Sequence, residues 1–167
     1  KRRQHLFDTM NGASIGLVFS GTPAVKSADQ TLPFQVNKNF YYLTGLTLPN
    51  QVLVLIKGNS NHVILYAESR TKDREKWDGR LPSFDILSKQ TGITDVRDKN
   101  LFEEDLKGFL SNQRTAVFGE LDTLYMDLSL ADRRVSPEVL FLETFKKDYP
   151  DIQILNYQHT FKRLRTI

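Results

Sequence analysis

The chain has 167 residues, 40% hydrophobic and 26% charged, which excludes a disordered tail and fits one globular domain that hides roughly 70% of its unfolded surface. Its net charge of +3 rests on two basic ends: without Lys1, Arg2, Arg3, Lys162, Arg163 and Arg165 the body holds 17 basic against 20 acidic residues. The excess is terminal and forms no stripe, so no nucleic-acid partner is expected.

In chain order, Leu6, Phe7 and Met10 at helical spacing predict a helix over 1–11, stopped at Asn11-Gly12. Ser14–Phe19 reads as a strand. Residues 20–39 read as a long connection punctuated by turn clusters. Phe40–Leu43 fits either a helical turn capped by Asn39 and ended by Gly45, or a short strand. Residues 51–57 and 62–67 are the clearest strands, joined through Gly58–Asn61 as a hairpin. Their almost continuously apolar character predicts central strands covered on both faces. Residues 68–80 read as a polar loop, and Phe84, Ile86 and Leu87 as a helix stopping at Gly92. Asn100 with Glu103 suggests a capping box opening the next helix. Thr115–Gly119 reads as a strand, as does Leu124–Met126. Ser136-Pro137 opens a helix ended by Tyr149-Pro150. Ile152–Leu155 is a last strand, and Phe161, Leu164 and Ile167 begin one more helix. Strands alternating with helices after a hairpin predict an α/β fold: a mixed sheet flanked by helices on both faces.

The residues themselves offer little catalytic chemistry. Cysteine is absent, which excludes disulfides, thiolate metal sites and a Cys nucleophile. This is consistent with a reducing compartment, and a cytoplasmic location is expected. No apolar run reaches the length of a membrane span, and the opening residues lack the apolar core of a secretory signal. His5, His62 and His159 have no metal-ligand spacing. Glu120, Asp122 and Asp127 flank one strand, and paired carboxylates at a strand end can hold two Mg²⁺ for phosphoryl chemistry; solvated loop carboxylates are the commoner case. The sole Trp, Trp77, lies in the charged stretch Arg74–Arg80, where an aromatic either folds back on the domain or projects to grip a partner. Asp29 sits in the long connection, where an Asp usually caps a turn.

Two motifs carry a resemblance. Ser27-Ala28-Asp29 is followed by Leu32-Pro33-Phe34-Gln35-Val36-Asn37-Lys38-Asn39-Phe40-Tyr41-Tyr42-Leu43-Thr44-Gly45, and later comes Lys76-Trp77-Asp78-Gly79-Arg80. Together they resemble the amino-terminal domain of aminopeptidase P, the Xaa-Pro aminopeptidase of the creatinase/prolidase group. Leu164-Arg165-Thr166-Ile167 is similar to the family's run just before its second domain. Leu32 stands where the family has Tyr, and Gln35-Val36 where it has Arg-Gln.

The resemblance implies a ribonuclease H-like sheet in a single domain over 1–167, with 158–167 starting a linker to a further, catalytic domain. It implies that catalysis belongs to a pita-bread domain holding two divalent metals, usually manganese, and that this chain carries no catalytic residue and no cofactor. The implied partners are that domain, neighbouring subunits of a homo-oligomer, and peptides with proline in second position; no membrane is implied. Trp77 is implied to line a neighbour's substrate cleft, with Asp29, Arg80 and Tyr41 near it. The chain would then serve assembly and cleft shaping in a metal-dependent aminopeptidase. The rival expectations are a peptide- or protein-binding module of an inactive relative and, from the carboxylates, a two-metal nuclease.

Overall fold

Along residues 52–56 alternate side chains must point to opposite faces of a sheet. Val52, Val54 and Ile56 point one way, Leu53 and Leu55 the other, and all five are fully buried. Such a strand needs cover on both faces. The computed structural model describes residues 1–23, 25–27, 30–31, 33–111, 115–128 and 137–165. In chain order it contains α1 (Arg2–Thr9), β1 (Ser14–Phe19), β2 (Val25–Ser27), β3 (Gln30–Thr31), α2 (Lys38–Thr44), β4 (Val52–Lys57), β5 (Asn61–Ala67), α3 (Lys72–Asp78) and α4 (Phe84–Thr91). There follow β6 (Asp95–Asp98), a 3₁₀ turn (Lys99–Leu101), α5 (Phe102–Leu110), α6 (Thr115–Phe118), β7 (Thr123–Met126), α7 (Pro137–Asp148), β8 (Gln153–Asn156) and α8 (Gln158–Arg165).

Six strands form the main sheet in the order β6-β5-β4-β1-β7-β8. β4 is antiparallel to both β1 and β5; β6 runs parallel to β5, and β7 and β8 run parallel to β1. On one face, α1, α2, α4 and α8 bring Leu6, Phe40, Leu87 and Phe161 onto Leu53, Leu55 and Leu65. On the other, α5, α6 and α7 bring Phe102, Phe109, Phe118 and Phe145 onto Val54, Ile56 and Ile64. This is the mixed sheet with two helical layers expected from the sequence, and each large side chain so buried contributes about 1.5–3 kcal/mol.

Several local expectations are corrected. The long connection carries a small hairpin, β2 with β3. Residues 40–43 are helical, and the cap is Asn37: its side-chain oxygen accepts from Asn39 N at 2.8 Å and Phe40 N at 3.3 Å. The polar loop contains α3, capped by Thr71 with Asp73 and Glu75 at its positive end; it buries none of its residues, so no apolar period announces it. Asp98, not a box of Asn100 and Glu103, caps the 3₁₀ turn, accepting from Asn100 N at 2.8 Å. Thr115–Phe118 is helical despite its β-branched residues. Tertiary contacts decide there: Phe118 packs edge-on against Phe109 and its carbonyl accepts from Asn59 N at 3.0 Å. β6 carries three charged residues in four and has no apolar alternation to reveal it. The helix expected from Phe161 and Leu164 does form, as α8, with Phe161 fully buried.

Cations satisfy the carbonyl ends of three helices. Arg3 donates to Leu43 O of α2 and to Thr91 O of α4, both at 2.9 Å, and burial lowers its pKa. Arg2 lies over the Tyr42 ring at 4.8 Å. Lys57 donates to Phe7 O at 2.7 Å and Met10 O at 2.6 Å, closing α1. Part of the basic opening is thus structural.

The β6 edge is fastened by ionic groups. Arg97 grips Asp95 with two bonds of 2.8 Å and Asp105 with one of 2.7 Å, and Tyr66 donates to Asp105 at 2.8 Å. These bonds raise the Arg97 pKa. Burial and then Asp105 raise that of the Tyr66 hydroxyl. Tyr157 is also raised by burial, and its hydroxyl is buried without a hydrogen-bond partner.

Two predictions follow from these contacts. A Cβ on Gly58, at the β4–β5 turn, would lie 1.8 Å from Phe118 O. Gly58→Ala should therefore cost about 1–3 kcal/mol, read as a melting temperature lowered by about 2–4 °C per kcal/mol; an unchanged melt would contradict the close packing. For the tyrosines, the folded chain keeps protons that the unfolded chain releases near pH ~10. That contribution is whole below about pH 10 and is lost as pH rises above it. Tyr66→Phe should cost about 1–2 kcal/mol by leaving Asp105 short of a donor, whereas Tyr157→Phe should be neutral or slightly stabilising. The double variant should flatten the alkaline loss in denaturant titrations.

Candidate functional site

One rim of the sheet collects the carboxyl ends of β1, β5, β6, β7 and β8 beside the start of β4. Open α/β sheets place their ligand crevices at such rims. The chain fixes this rim with hydrogen bonds, beginning at Ser20. Its N–H donates to Gln51 O and its hydroxyl accepts from Gln51 N, both at 2.9 Å. Asn37 N donates to Ser20 O at 2.9 Å, so α2 starts from the rim. The buried Asn39 then donates through its amide to Asp127, just past β7.

A second chain of contacts leads to α3. Asn50, in the left-handed region with φ 58°, donates its N–H to Gly21 O at 2.9 Å and its amide to Glu68 at 3.1 Å. Glu68 pairs with Arg70 at 3.7 Å. Arg70 donates to the carbonyls of Asp78 and Gly79, the end of α3. Lys99, partly buried beside these groups, has its pKa lowered by burial, with Glu68 acting against that.

Trp77 projects from α3 with 90% of its surface exposed. It therefore does not fold back on the domain. Arg80 is exposed, its Nε 3.9 Å from Glu75, and with Lys72, Glu75 and Lys76 it lines a shallow groove. Tyr41 is half exposed on α2. Trp77, Arg80 and Tyr41 thus sit on elements tied to one rim. Asp29 lies outside the described residues; its neighbours Ser27 and Gln30 pair across the β2–β3 hairpin.

The carboxylates do not form a group. Glu120 and Asp122 precede β7 and Asp127 follows it, and five residues of extended chain place Asp122 and Asp127 roughly 16 Å apart. Asp127 is engaged by Asn39, and Asp122 accepts from the Thr123 hydroxyl at 2.7 Å. Among the described residues no three His, Asp or Glu come together to hold a metal ion. The nuclease expectation is corrected on this geometry. His5, His62 and His159 stand on α1, β5 and α8, with His62 3.6 Å from Asp95. Among the described residues no helix is long and apolar enough to cross a membrane.

Sequence reading passed over Asn50, Glu68 and Arg70, which fix α3, and over the pairing of Asn39 with Asp127. The signal available was the polar run Glu68-Ser69-Arg70 placed directly after the apolar run Val63–Ala67. What the rim presents is an exposed aromatic, Trp77, with the exposed Arg80 three residues on, held by polar bonds.

Comparison with known proteins identifies the family. The profile of the family described as aminopeptidase P, N-terminal domain, matches residues 1–118. An Xaa-Pro aminopeptidase of Escherichia coli is 36% identical over 95 residues, which is 56% of this chain and 22% of that protein. A solved structure from Bacillus anthracis assigned as an aminopeptidase P superposes with a TM-score of 0.89 at 29% identity, covering 98% of this chain and 38% of the other. A structure of Escherichia coli aminopeptidase P gives 0.73 at 26% identity, covering 93% of this chain and 35% of the other. The chain spans well under half the length of the relatives it matches. It belongs to the family of aminopeptidase P amino-terminal domains.

Proposed function

We propose that this chain is the non-catalytic domain of a metal-dependent aminopeptidase that removes the residue before a proline in second position. The observation that carries the reading is Trp77: a large aromatic, almost wholly exposed, on a helix that buries nothing of its own. Exposing such a ring costs apolar contact, which a partner surface restores. A Trp face suits proline or an apolar side chain, and Arg80 beside it suits a carboxylate. The names of the relatives supply the substrate class, since the Escherichia coli protein is an Xaa-Pro aminopeptidase. In this reading the domain serves assembly of a cytoplasmic homo-oligomer, and its rim shapes the substrate cleft of a neighbouring subunit. Asp29 and Tyr41 belong to the same cleft wall. In the same reading, which rests on family resemblance, two divalent ions, manganese by that resemblance, belong to a separate pita-bread domain.

The test uses the full-length parent enzyme. Trp77→Ala should lower kcat/KM for a peptide with proline in second position by roughly tenfold to hundredfold. Metal content by elemental analysis should stay unchanged. Kinetics equal to those of the parent would remove Trp77 from the cleft.

A further inference from the structure

We infer that Arg70 is the positioning residue for Trp77, acting through a polar strut that runs Gly21–Asn50–Glu68–Arg70 to the end of α3. The inference rests on the reading of Trp77 as the recognition aromatic. α3 has seven residues and buries none of them, so no apolar packing holds it against the sheet. A helix this short is not stable by its own backbone bonds. Something else must fix where its last turn, and Trp77 within it, points.

Arg70 has the geometry for this. It follows β5 by three residues and is therefore anchored to the buried end of that strand, Ile64 to Ala67. Only 17% of its side chain is exposed, and Glu68 stands 3.7 Å from its Nε. The guanidinium donates through Nη1 to the carbonyls of Asp78 and Gly79, the latter at 3.0 Å. Those groups sit at the negative end of the helix dipole, where a cation is favoured. Asp78 and Gly79 directly follow Trp77, so the clamp closes on the backbone that carries the ring. Gly79 leaves the helix at φ 79°, a conformation suited to glycine, and turns the chain away toward Arg80.

The strut is itself braced. Glu68 accepts from the Asn50 amide at 3.1 Å, and Asn50 N is bonded to Gly21 O. Asn50 holds φ 58°, which Asn tolerates better than most residues. The planar fork of Arg70 can serve two acceptors at once, which a lysine ammonium does with less fixed geometry.

The experiment reads backbone hydrogen exchange in the 167-residue chain. Arg70→Gln should speed exchange at residues 72–80 by about tenfold while β4 and β5 stay protected; Arg70→Lys should fall between. Asn50→Gly keeps the left-handed backbone and deletes only the amide, so it should loosen the same segment less. In the full-length enzyme, Arg70→Gln should raise KM for the proline peptide in the same sense as Trp77→Ala, with metal content unchanged. Unaltered exchange at 72–80 in Arg70→Gln overturns the inference. If that variant loses the whole fold, Asn50→Gly decides: loosening confined to 72–80 supports the strut, and none overturns it. Loosening of α3 combined with a silent Trp77→Ala upholds the anchoring and removes the cleft reading instead.

Discussion

Five residues in the middle of the sheet, Val52 to Ile56, are withdrawn from water on both sides. The rest of the architecture answers that constraint. A strand with no wet face requires a helical layer above and another below, and each layer requires its own apolar stripe. Leu53 and Leu55 meet α1, α2, α4 and α8, while Val54 and Ile56 meet α5, α6 and α7. Because β1 and β5 both run against β4, the remaining strands that join them in parallel end together on one side. The common rim of strand ends therefore follows from how the central strand is paired.

The rim and the core are held by different physics. The core rests on buried hydrocarbon, whereas the rim rests on polar bonds placed at chain ends: Ser20 on Gln51, Asn37 on the start of α2, and Arg70 on the end of α3. Cations close helix termini elsewhere too, with Arg3 shared between α2 and α4 and Lys57 closing α1. This division lets the rim change its side chains without disturbing the sheet. It also explains how an exposed aromatic is tolerated: α3 adds nothing to the core, so its surface is free to serve a partner.

The central strands were legible because burial on both faces leaves an unmistakable apolar run. Helices with one apolar stripe, such as α5 and α7, were legible for the same reason. The failures have local physical causes. α3 and β6 bury little, so neither leaves a period in the sequence, and α6 is four residues long and fixed by contacts with Asn59 and Phe109 that are distant along the chain. The caps were read two residues late at both Asn37 and Asp98, because polar residues cluster at helix starts and spacing alone does not choose among them. Trp77 and Arg80 were singled out by family motifs, and the structure shows both exposed. Arg70 was not, since its role depends on a strand end meeting a helix end in space.

The placement of the only tryptophan has a consequence for how this domain reports on itself. An indole already bathed in water emits at long wavelength in the folded state, and unfolding changes its surroundings little. Tryptophan emission would therefore be nearly blind to loss of the core, while the stacked pair Tyr125 and Tyr157, 4.5 Å apart, carries the near-ultraviolet signal of packing. The same indole would shift toward the blue only when another surface covers it. The chain thus carries separate optical channels for folding and for contact, and the two events can be followed independently in one sample.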